Sequence, residues 1–114
     1  MKHKAGKIDA ALTEAVHEGL SSVSPAIPSL VLLILQKDGS IKSNNRIDDL
    51  EAFEDGLKRI FGFSAKVVER KILEAFYTKL QVSRRIKDDF RFAEEVKSVQ
   101  KLPDSRDLMI TKTH

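Results

Sequence analysis

With 114 residues, the chain has room for one domain and one modest core. It has no cysteine, which excludes disulfides, thiolate metal sites and a cysteine nucleophile and fits a reducing cytoplasm. A net charge of +3, from 20 basic and 17 acidic residues in mixed order, permits an acidic partner or nucleic acid and demands neither. The longest apolar run, Leu30 to Leu35, is too short to span a bilayer, and no apolar segment follows the basic Met1 to Lys7 to make a signal peptide. His3, His17 and His114 are far apart and read as solvated side chains, not metal ligands.

In chain order, residues 1–6 read as a flexible basic lead-in. From Lys7 the pattern is helical, with Ile8, Ala11, Leu12, Ala15, Val16, Leu20 and Val23 on one stripe and His17 at its edge. Gly19 marks either close packing or fraying. Ser21 to Pro28 breaks the helix, and Ser24-Pro25 or Ile27-Pro28 starts the next, since proline is tolerated in a first turn. Leu30 to Leu35 is apolar all round and is expected to be the most buried element. A short buried strand is the rival reading; helix is preferred because the neighbours are helical and no second strand is evident. Lys37-Asp38-Gly39-Ser40 stops it. Ile41 to Ile47 is a polar loop with an Asn44-Asn45 turn, pinned to the core by its two isoleucines.

The stretch from Phe53 to Leu80 reads as the hairpin on which the rest packs. Its first helix is capped by Asp48 or Asp49 and carries Leu50, Phe53, Leu57, Ile60 and Phe61 on one face. Gly56 costs up to about 1 kcal/mol inside a helix, and a close helix crossing is one reason to keep it. Gly62 fits the residue after the helix, and Ser64 the N-cap of the second helix. That helix shows Val67, Val68, Ile72, Ala75, Phe76 and Leu80, flanked by Lys66, Glu69, Arg70, Glu74 and Lys79. Ser83 then caps a charged last helix from Arg84 to about Leu102. Its thin stripe is Ile86, Phe90, Ala93, Val96 and Val99, with Phe92 off it, a face open to loose packing on the domain, to pairing with another copy of the chain or to projection from the domain. Pro103 ends it, and residues 103–114 read as a mobile tail.

The chemistry-bearing patterns are few. Asp48-Asp49-Glu51 and Glu54-Asp55 complement a helix N-terminus and lack the alternating ligands of a calcium loop. No phosphate loop, dinucleotide fingerprint, zinc-protease helix or nucleophile elbow occurs. The expectation is no catalytic residue, no cofactor and no metal. Gly62 to Arg70 does have the outline of a helix-turn-helix turn and recognition helix. Lys58 stands where that motif needs a small residue, and Lys71 where it needs an apolar one. On this alternative the nucleic-acid contacts are Lys66, Arg70, Arg84, Arg85 and Arg91. Asp88, Asp89, Glu94 and Glu95 interrupt the basic set.

Ile8-Asp9-Ala10-Ala11-Leu12, the Leu30 to Leu35 run, Phe53, Leu57 and Arg59-Ile60-Phe61-Gly62 form a longer pattern. It continues through Ala65, Val68-Glu69, Ile72-Leu73 and Phe76-Tyr77-Thr78-Lys79-Leu80. Over about residues 8–80 the chain resembles the NitrOD5 family, small output domains described mainly from archaeal proteins. The resemblance implies an all-helical interaction or output module in regulation and names no catalytic residue. The expectation is therefore an all-α, compact bundle of about five helices over residues 7–102, with a charged C-terminal helix outside the family-like part. It is non-enzymatic, cytoplasmic and without a membrane segment. It works with a protein partner or as a homodimer through Ile86, Phe90, Ala93, Val96 and Val99, with DNA binding as the alternative.

Overall fold

The structure, a computed structural model, describes residues 2–42 and 46–101, with side chains from Lys7 onward. It is all-α, with no strand among the described residues. Among the described residues five helices follow one another: α1 (Lys2–Ser21), α2 (Ile27–Lys37), α3 (Leu50–Phe61), α4 (Ala65–Leu80) and α5 (Phe92–Gln100). One apolar cluster joins all five. None is long and apolar enough to cross a membrane. The tail after Pro103, the Asn44-Asn45 turn and Leu102 lie outside the described residues.

The most extensive helix pair is α1 against α4, not the α3–α4 hairpin. Ile8, Leu12, Ala15, Val16 and Leu20 form the buried stripe of α1; Val68, Ile72, Leu73, Phe76 and Leu80 form that of α4. Gly19 sets their separation. A Cβ there would lie 2.9 Å from both the Cα and the amide nitrogen of Ile72, backbone atoms that cannot rotate aside. α1 starts at Lys2, so helix extends into the expected lead-in. It stops at Ser21, which leaves Val23 in a turn and exposed.

α2 carries Pro28 in its first turn and buries only Pro28, Val31 and Leu35. It is not the most buried element, because it lies at the edge of the bundle with one face inward. Beyond it, Asp38 accepts from the Ser40 amide at 2.9 Å and from Arg59 at 2.7 Å, which ties the following loop to α3. Ile41 is buried and Ile47 half-buried, pinning the loop at both ends. Asp49 caps α3, its Oδ1 accepting from the Ala52 amide at 3.0 Å. Leu35 of α2 packs where a Gly56 side chain would stand.

Gly62 has φ +58° and ψ −128°, a conformation open to glycine, and its amide donates to Lys58 O. A single 3-10 turn, Gly62–Ser64, then leads directly into α4. Ser64 itself has helical angles and makes no side-chain cap, so the expected N-cap is absent. Val67, expected in the stripe, is exposed, and the inward place is taken by Glu69. α4 ends on Gln81 in the left-handed region, whose amide donates to Thr78 O and Tyr77 O.

The expected helix from Arg84 is not formed; residues 82–91 are irregular and α5 begins at Phe92. The reason is the pair Phe90 and Phe92. On a helix they would stand about 200° apart and only one could face the core. Arg91 between them is extended, φ −115° and ψ 120°, and extended backbone returns alternate side chains to one side. Both rings are buried, and Phe92 packs on Phe53 with centroids 5.5 Å apart.

Candidate functional site

The face expected to bind another copy is used inside the molecule. Phe90, Ala93, Val96 and Val99 are buried in the core and Ile86 is half-buried against it. The stripe is thin and its flanks are charged, yet Phe92, Ala93, Val96 and Val99 put an apolar side chain inward on each turn of the nine-residue α5, which is enough to seal the bundle.

The cations expected at DNA are mostly engaged as well. Lys66 Nζ donates to the carbonyl of Phe90 and stands 4.1 Å from the centroid of its ring. Arg70 donates to Ile86 O and to Asp88 Oδ1, both at 3.3 Å. Arg84 pairs with Glu95 at 3.6 Å, and Arg91 lies 3.9 Å from Glu54 Oε2. Arg85 is exposed. The start of α4 thus fastens the 86–91 segment, and the two basic residues of the helix-turn-helix outline serve that fastening.

What the surface does offer is apolar. Leu30 is 55% exposed, Leu33 50% and Ile34 39%, three side chains at helical spacing on the outer face of α2. From Ile27 to Gln36 the helix has no charged residue. At the α3–α4 junction, Phe63 is fully exposed beside the exposed Val67. Soluble domains rarely leave several large apolar side chains together on one helix face without a use for them. The signal in the sequence is the all-round apolarity of Leu30 to Leu35. Hydropathy alone does not say whether such a helix is central or lies at the edge with a face to spare.

Two inward carboxylates were not foreseen either. Glu54 on α3 and Glu69 on α4 are both buried. Lys58 and Arg91 stand 3.8 and 3.9 Å from Glu54 Oε2, too far for hydrogen bonds. Burial, and then the nearby Glu54 charge, push the Glu69 carboxyl up to about 7, against the opposing pull of Lys66, Lys58 and Arg91. A part-buried polar contact joins Tyr77, whose hydroxyl donates to Glu95 at 2.5 Å; burial and that acceptor raise its phenol. Between the end of α1 and α4 lies a recess of about 350 Å³, wide open to water, with Glu18, Lys71 and Lys79 on its walls. Lys79 there is held by Glu18 and Glu14.

No family model, curated protein or solved structure matches this chain.

Proposed function

We propose that this chain is a non-catalytic protein-interaction module of intracellular regulation, and that it pairs with a second copy of itself through the outer face of α2. The observation that carries the reading is the Leu30, Leu33 and Ile34 stripe, open to solvent on a helix stretch without charge. An uncharged face has nothing with which to steer an oppositely charged partner. It suits a two-fold contact, in which the same stripe meets itself with no like charges opposed. The resemblance to NitrOD5 output domains agrees in kind, since it implies an interaction module without chemistry of its own.

Magnitudes set the strength expected. Full burial of a leucine or isoleucine is worth about 1.5–3 kcal/mol, so six half-exposed side chains across a two-fold contact supply about 6 kcal/mol in gross. Association itself costs about 4–15 kcal/mol, so the three side chains do not hold a dimer by themselves, and the contact also needs the surface that surrounds them on α2; the dimer is weak and concentration-dependent. Light scattering over a concentration series tests it. The wild-type mass should rise toward that of a dimer, and Leu33→Glu should hold the monomer mass with unchanged helical circular dichroism. A wild-type chain that stays monomeric throughout, or a Leu33→Glu chain that associates equally well, overturns the assignment. Adding duplex DNA at low and high salt in the same series tests the alternative, whose signature is binding that weakens steeply with salt.

A further inference from the structure

Glu54 and Glu69 enter the interior from two different helices. Oε2 of Glu54 and both carboxyl oxygens of Glu69 have no hydrogen-bond partner among the described residues. A buried carboxylate without donors is several kcal/mol above its solvated state, so the protonated form is favoured. The two are not equivalent. Glu54 has Lys58 and Arg91 at the edge of ion-pair distance, and Glu69 has no cation that close among the described residues. The charged groups acting on Glu69 are Glu54 and Lys58 from α3, Lys66 from α4 itself and Arg91 from the start of α5. This asymmetry places the proton on Glu69.

Two of these cations, Lys66 and Arg91, together with Arg70, also fasten the 86–91 segment. Lys66 holds the Phe90 carbonyl, Arg70 holds the Ile86 carbonyl, and Arg91 approaches Glu54. The segment has no helical hydrogen-bond ladder of its own, so its attachment rests on these side chains, on the Phe90 ring and on the half-buried Ile86. When both carboxyls are charged they repel each other, and water must reach them. The element that yields with least loss of backbone hydrogen bonding is this one.

We infer that Glu54 and Glu69 form a one-proton latch: with the proton on Glu69 the 86–91 segment and α5 stay docked on α3 and α4, and loss of the proton releases them. The folded carboxyl binds its proton more tightly than an ordinary glutamate. The latch is therefore complete below the usual glutamate range near 4.5 and is lost as pH rises through about 7.

The test uses the full chain. Carboxyl-carbon NMR follows Glu69 through a pH titration, and amide-exchange protection of residues 86–100, corrected for intrinsic exchange, is read at about pH 5.5 and about pH 8. Glu69 should titrate near neutrality. Protection in the wild-type chain should fall by about tenfold or more between the two conditions, while Glu69→Gln keeps its protection at both. Titration of Glu69 together with the exposed glutamates overturns the latch, and this readout needs no variant to fold. A Glu69→Gln chain that loses protection as the wild type does also overturns it.

Discussion

At Gly19 the absence of one methyl group decides how closely α1 and α4 approach. The atoms it would strike belong to the Ile72 backbone, so Gly19→Ala must move a helix and not a side chain. We expect a net loss of about 2 kcal/mol in urea unfolding, even after the helix-propensity gain of about 1 kcal/mol from alanine. A neutral result would mean that the two helices have slack at their crossing. Gln81 presents the opposite case. It is exposed and holds φ 56° and ψ 39°, angles that glycine adopts without a Cβ penalty. Gln81→Gly should raise stability by about 1 kcal/mol, read as a higher urea midpoint at unchanged slope. Of these features the sequence disclosed Gly19 as a packing candidate and Gly62 as a stop. The inward turn of Glu54 and Glu69 was not legible. Both flank an apolar stripe on the helical wheel, and a flank becomes core or surface only when a third element covers it.

Among the elements, α1, α3 and α4 could be placed from spacing, apart from Val23, Val67 and the ends of α1, because each has one apolar stripe and one charged side. α2 and α5 could not, for opposite physical reasons. α2 is apolar on every side, so periodicity does not say which face goes in. Before α5, Phe90 and Phe92 are incompatible on one helix face, and only a break in the helix satisfies both. Two phenylalanines put this to the test. Phe92 is wholly buried against Phe53, and Phe92→Ala should cost about 3–5 kcal/mol in the same unfolding assay. Phe63 is fully exposed, and Phe63→Ser should change stability by no more than about 0.5 kcal/mol. A small effect at Phe92 would contradict the placement of the break, and a large one at Phe63 would contradict its exposure.

For the molecule as a whole, the buried carboxyl sets an unusual direction of pH dependence. A folded glutamate raised from 4.5 to about 7 stabilises the fold at acid pH and withdraws about 3 kcal/mol as pH rises through that window. Asp38, held low by Ser40 and then Arg59, and Glu51, held low by Lys97, act in the other direction, but both are solvent-screened surface groups. Thermal unfolding should therefore have a higher midpoint at about pH 5.5 than at about pH 8, and Glu69→Gln should flatten the difference. A wild-type midpoint that rises toward pH 8 would show that Glu69 is not the dominant titrating group. The close pairing of α1 with α4 also bears on how the chain reaches this state. On a ribosome the apolar stripe of α1 emerges about fifty residues before Ile72, the residue that Gly19 meets. The nascent chain must shield that stripe in some other way until α4 has been made, and α2 and α3 lie within the loop that the α1–α4 contact then closes. A chain cut short before α4 would keep its helical propensity and lose the largest surface on which α1 folds, which makes such fragments prone to aggregate.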